Sequence, residues 1–105
     1  MPAHALVLTT AGSREEAAAI AEALVERRLA ACVNVLPNVV STYRWKGSVT
    51  VDDEWLLIVK TRRERFPEVR IVIRELHSYE QPEAILVPIE DGDPAYLAWI
   101  DDNVS

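Results

Sequence analysis

The sequence predicts an α+β fold: an antiparallel sheet with two helices on one face and a short third helix toward the end. Three observations carry this prediction. Short apolar runs rich in β-branched residues alternate with segments whose apolar residues recur every three or four positions. Two of the apolar runs, 31–46 and 49–61, are separated by no more than a turn, which makes an antiparallel hairpin. Helix-start chemistry stands at Ser13, at Pro67 and at Asp93-Pro94, just ahead of the helical segments.

Each element follows from its residues. Residues 5–9 form a short, buried strand that Ala11-Gly12 breaks. Ser13-Arg14-Glu15-Glu16 is a capping box, in which Ser13 caps the helix and Glu16 reaches back. The helix behind it aligns Ala17, Ile20, Ala21, Leu24, Val25 and Leu29 on one face, the stripe of a helix packed on a sheet. Residues 31–36 are the second strand. Pro37-Asn38 interrupts its ladder because proline has no N–H to donate, and pairing resumes over 39–46. Gly47-Ser48 supplies the turn into a third strand over 49–61. A second helix lies within 61–76 and starts near Pro67, with Phe66, Val69, Val72, Ile73 and Leu76 on its inner face. Residues 84–89 are the fourth strand. Asp93 then caps a short helix carrying Tyr96, Leu97, Trp99 and Ile100. The order is the split βαβ, ferredoxin-like plan in one domain spanning 1–105.

The third strand is too long for such a domain to cover. Thirteen residues at about 3.3 Å each reach roughly 40 Å, against a diameter of roughly 35 Å for a compact domain of this size. The hairpin must overhang or bend, and an overhang carrying Tyr43, Trp45, Val49 and Val51 is an adhesive edge. Pairing with other copies of the chain is the expected outcome.

Composition narrows the function. A net charge of −6, with the basic residues scattered, argues against sequence-independent binding to nucleic acid or to anionic membrane. The single cysteine, Cys32, excludes an intrachain disulfide and a cysteine-rich zinc site, and fits a reducing compartment. No apolar stretch approaches the roughly 20 residues that span a bilayer, and no secretory leader stands at the start. The expected location is cytoplasmic, with no membrane partner.

The segment 77–83, His-Ser-Tyr-Glu-Gln-Pro-Glu, joins a helix to a strand yet carries an imidazole, a phenol and two carboxylates. Loops held by rigid elements are where proteins place chemistry. His77, with Glu80 and Glu83 assisting, is a candidate metal site; a helix-end histidine bonded to backbone is the alternative. Lys60, in an otherwise apolar strand, calls for a carboxylate such as Glu80 or Glu83, and serves either an anionic ligand or a subunit contact. Cys32 is a soft copper donor or a small core residue. Asp52-Asp53-Glu54 guards an exposed strand or holds a cation. The aromatics Tyr43, Trp45, Trp55, Tyr96 and Trp99 line a pocket or pack in core and interface. There is no glycine-rich phosphate loop and no nucleophile–histidine signature, so the chain is read as non-enzymatic.

Several blocks, in order over 7–100, resemble one family. They are Ala30-Ala31-Cys32-Val33-Asn34, Tyr43-Arg44-Trp45-Lys46-Gly47, Glu54 with Lys60-Thr61, Glu75-Leu76-His77-Ser78-Tyr79-Glu80-Gln81-Pro82-Glu83, and Tyr96-Leu97-Ala98-Trp99-Ile100. Together they resemble the divalent-cation tolerance (CutA) family. The resemblance implies a ferredoxin-like protomer in a homotrimer whose long hairpins add strands to neighbouring subunits, in an arrangement like that of the PII signalling proteins. It also implies a role in tolerance to copper and other divalent cations, without an obligatory cofactor. The alternative it leaves is a PII-like signalling or small-molecule-binding trimer with an inter-subunit cleft. His77 matches the family's His-x-Tyr block. This chain has Thr9 and Leu76 where some members have a cysteine and a second histidine, and Ser78 where a proline is usual. Lys60, Trp45 and Tyr79 match positions near the cleft.

Overall fold

The computed structural model of the chain describes residues 2–105. The described residues form β1 (His4–Ala11), α1 (Arg14–Glu26), β2 (Cys32–Trp45), β3 (Ser48–Arg62), α2 (Phe66–Leu76), β4 (Ile85–Pro88) and α3 (Pro94–Asn103), with one 3-10 turn at Arg63–Arg65. All four strands pair antiparallel in the order β2-β3-β1-β4. This is the expected ferredoxin-like arrangement, with β1 and β3 at the centre.

Strand alternation sorts the side chains. Val7, Leu57 and Val59 face α1 and α2, where Ile20, Leu24, Val69, Val72 and Ile73 close the core at essentially zero exposure. The alternate residues Leu6, Leu8, Leu56 and Ile58 form the other face and are only half-buried. At the end of that face, α3 packs Ile100 and Val104 on Ala31 and brings Tyr96 beneath Lys60. Asp93 caps α3 through the Tyr96 N–H, with Pro94 in the first turn as expected.

The hairpin overhangs. The molecule measures 44 × 25 × 23 Å with a radius of gyration of 14.1 Å, longer than the roughly 13 Å of a compact chain of this size. Val40, Val49 and Val51 are 60–66% exposed along it. The ladder slips between Leu36 and Val39, where Asn38 takes a left-handed conformation beside Pro37. Two local expectations are corrected. Lys46 and Gly47, both at positive φ, form the turn, and Ser48 is already paired with Trp45. Two positive φ angles give the tight turn whose twist matches the strands. The capping box is only half formed: Ser13 Oγ accepts the Glu16 N–H at 3.1 Å, but the Glu16 side chain is drawn elsewhere. That diversion is part of the site.

Candidate functional site

The 77–83 loop is tied to the end of β1 and the start of α1 by groups from both. His77 caps α2, and its imidazole is completely buried. Nε2 lies 2.6 Å from the Thr10 carbonyl and therefore donates to it. Nδ1 lies 3.1 Å from both the Tyr79 N–H and Glu16 Oε1. Neutral, it accepts from the first; protonated, it donates to the second. In either state neither ring nitrogen has a free lone pair, so a metal on His77 has to displace one of these bonds. The Glu16 carboxylate also takes the Ser78 N–H at 2.6 Å and the Ser78 hydroxyl at 2.8 Å. One acid thus gives up the backward reach of a capping box in order to hold a loop more than sixty residues away.

Anchoring His77 delivers Tyr79 to the hairpin. The two rings lie 4.5 Å apart, and the Tyr79 hydroxyl donates to Glu54 Oε2 at 2.7 Å. Burial, reinforced by the Glu54 carboxylate, holds the Tyr79 phenol far above the usual tyrosine range, so it remains a donor. Gly12 makes room for it: a Cβ there would meet the Tyr79 hydroxyl at 2.8 Å. Gly12→Ala is expected to cost about 1–2 kcal/mol by overpacking. The cost should be partly relieved in the Gly12→Ala/Tyr79→Phe double variant, as a double-mutant cycle by urea denaturation would show.

The loop and the hairpin line an open-sided cavity of about 620 Å³. Tyr43, Trp45 and Tyr79 contribute rings; Glu54, Glu80 and Glu83 contribute carboxylates; no lysine, arginine or histidine lines it. Tyr43 also bonds Asp52, and that bond raises its phenol above the ordinary value. Glu54 is 6% exposed, and among the described residues no basic side chain forms an ion pair with it.

Burial, and then the nearby Glu54 charge, raise Glu83 above the ordinary glutamate value. A raised native pKa means that the folded state holds this proton more tightly than the unfolded chain does. Stability therefore falls as pH rises from about 4.3, the unperturbed value, through the folded value. Glu83→Gln is expected to melt above wild type at pH 7 and together with it below pH 4, in thermal scans at the two pH values.

Sequence reasoning put Glu80 and Glu83 with His77 in a metal site, and Trp45 and Tyr79 with Lys60 at a cleft between subunits; within one chain, a single cavity takes in Glu80, Glu83, Trp45 and Tyr79. It does not hold Lys60. Lys60 shares a face of β3 with Glu54 but lies six residues further along, about 20 Å of strand. Its ammonium sits 5.8 Å from the Tyr96 ring centroid between Leu6 and Cys32 in register, and it pairs with neither Glu80 nor Glu83. Cys32 is likewise on that distant stretch, and the donors lining the cavity are all oxygens. Gly12 was the residue missed. Glu54 read, with Asp52 and Asp53, as a guard charge or part of a cation site; its place in the pleat of Leu56 and Ile58 was the signal that sets it apart from those two.

The family model described as CutA1 divalent ion tolerance protein matches residues 5–103. The chain belongs to the CutA1 divalent ion tolerance family. It is 48% identical over 98 residues to the divalent-cation tolerance protein CutA of Thermus thermophilus, covering 93% of this chain and 95% of that one. A solved structure of the divalent cation tolerance protein from Thermus thermophilus superposes with a TM-score of 0.95 at 46% identity, covering 97% and 99% of the two chains. The structure of the Archaeoglobus fulgidus protein, described as a periplasmic divalent cation tolerance protein, gives 0.94 at 44% identity and covers 97% and 99%. A Xenopus laevis CutA homolog is 49% identical over 85 residues; the match covers 81% of this chain and only 56% of that protein. Of the blocks noted in the sequence, those at 43–47 and 75–83 fall on the hairpin and the loop that line the cavity, and the one at 96–100 falls on α3. No helix among the described residues is long and apolar enough to cross a membrane.

Proposed function

We propose that this chain is a non-enzymatic divalent-cation tolerance protein that works as a homotrimer and takes cations weakly at the hairpin–loop cavity. The observation that carries this reading is the charge of the cavity wall: three glutamates and no basic side chain. A negative, partly desolvated wall attracts cations and repels anions. Among the described residues no three His, Cys, Asp or Glu side chains are gathered to hold a metal ion. Binding is therefore loose and water-mediated, through Glu54, Glu80 and Glu83, with His77 anchoring the loop that carries two of them. Oxygen donors suit hard divalent ions and accept Cu(II), whose affinity is highest in its row; they do not suit Cu(I), which seeks sulfur. The half-buried apolar sheet face and the overhanging hairpin support self-association. The cytoplasmic placement rests on the lone cysteine, and the Archaeoglobus description shows that compartments differ among relatives.

Isothermal titration of Cu(II) and Mn(II) into wild type, Glu80→Gln and Glu83→Gln tests the site. Each variant is expected to bind about tenfold more weakly, roughly 1.4 kcal/mol. Equal affinities in all three proteins would remove these carboxylates from it. A small-molecule-binding trimer of PII type is the second reading, and the size of the cavity favours keeping it. That reading places Lys60 at a cleft between subunits, and within the single chain Lys60 does not line the cavity.

A further inference from the structure

We propose that the hairpin–loop cavity binds an organic ammonium ion, with Glu54 receiving the charge and the rings of Tyr43, Trp45 and Tyr79 receiving the carbon frame. The inference rests on the cation reading of the cavity and specifies the class of cation. Three observations lead to it.

The first is Glu54. The residue is only 6% exposed, lines the cavity and forms no ion pair with a basic residue among those described. The Tyr79 hydroxyl occupies Oε2; Oε1 has no hydrogen-bond partner in the chain. A carboxylate oxygen without a partner beside the cavity can accept a charge-assisted hydrogen bond from an ammonium donor.

The second is volume. A divalent ion with about six waters displaces roughly 200 Å³, at about 30 Å³ per water. The cavity holds about 620 Å³, inside the range of roughly 300–1,000 Å³ found for small-molecule sites. A bare or hydrated metal leaves most of it to bulk water.

The third is the wall. Tyr43, Trp45 and Tyr79 are three of the seven Phe, Trp and Tyr residues in the chain. Ring faces attract ammonium groups and cover alkyl chains, whereas a small metal ion prefers oxygen and water. The chain already shows this preference on one of these rings: the Lys46 ammonium lies 5.8 Å from the Trp45 centroid, although Lys46 does not line the cavity. Carboxylates beside aromatic rings, without a basic side chain, are the recognition chemistry of amines.

The test is isothermal titration of the 105-residue chain with n-butylammonium, sodium butyrate and Mn(II), each at the same ionic strength. Saturable binding of n-butylammonium but not of butyrate is expected. It should weaken at least tenfold in Glu54→Gln and again in Trp45→Ala, an exposed hairpin position whose replacement leaves the core untouched. Saturation by Mn(II) with no butylammonium response overturns the ammonium proposal and leaves the cation cavity standing. No response to either cation overturns both. Butylammonium binding that is unchanged in Trp45→Ala and Glu54→Gln places the amine elsewhere and also overturns the proposal.

Discussion

His77→Ala is expected to destabilise the protomer by about 2–4 kcal/mol. The change deletes the donor to the Thr10 carbonyl and the acceptor of the Tyr79 N–H. It leaves those backbone groups without partners and opens a void where a completely buried ring stood. At about 4 °C per kcal/mol for a chain near this size, the melting temperature should fall by roughly 10 °C or more. The loss should reach the cavity, because Tyr79, Glu80 and Glu83 are placed by the loop that His77 anchors. Glu80→Gln is the informative companion. Glu80 is exposed, and its side chain makes no hydrogen bond among the described residues, so this variant should keep its stability within the roughly ±0.5 kcal/mol of a surface change while losing cation affinity. Thermal scans and metal titrations on the same two proteins separate an anchor from a ligand. If His77→Ala keeps full stability yet loses all cation binding, the imidazole is a ligand and the anchoring role is wrong.

Leu57→Ala and Ile58→Asp, neighbours on β3, are expected to fail in different ways. Leu57 is completely buried against α1 and α2, and its truncation should cost about 2–5 kcal/mol through lost transfer energy and a residual cavity. Urea denaturation should show the midpoint falling. Ile58 faces the opposite side, where the protomer leaves it half-buried. Ile58→Asp should spare the fold, since the new carboxylate can reach water in the separated protomer, but it places a charge in the proposed interface. Sedimentation velocity should show trimers for wild type and monomers for Ile58→Asp, with matching circular dichroism. A wild type that sediments only as a stable monomer overturns the proposed assembly.

Much of the fold was legible because the signals were local. Ser13, Pro67 and Asp93-Pro94 start helices by satisfying or removing orphan N–H groups, chemistry that acts within a few residues. The two periodicities separated strands from helices, and the length of the third strand implied an overhang that the 44 Å long axis bears out. Errors arose where a residue had two local options and a distant partner chose. Glu16 fits a capping box, yet Ser78 and His77 hold it. The turn could be Gly47-Ser48 or Lys46-Gly47, and strand pairing at Trp45 and Ser48 selected the second.

The order of strands and helices, the buried stripes and the membership of the donor-rich loop were determined by sequence alone, because each depends on neighbours along the chain. Tertiary structure decided which donors meet. It turned Glu54 inward beneath Tyr79, used both nitrogens of His77 on backbone and acid, and left Lys60 some 20 Å away on the same strand face. Those outcomes depend on strand register and on a loop closing against β1, which only the folded chain sets.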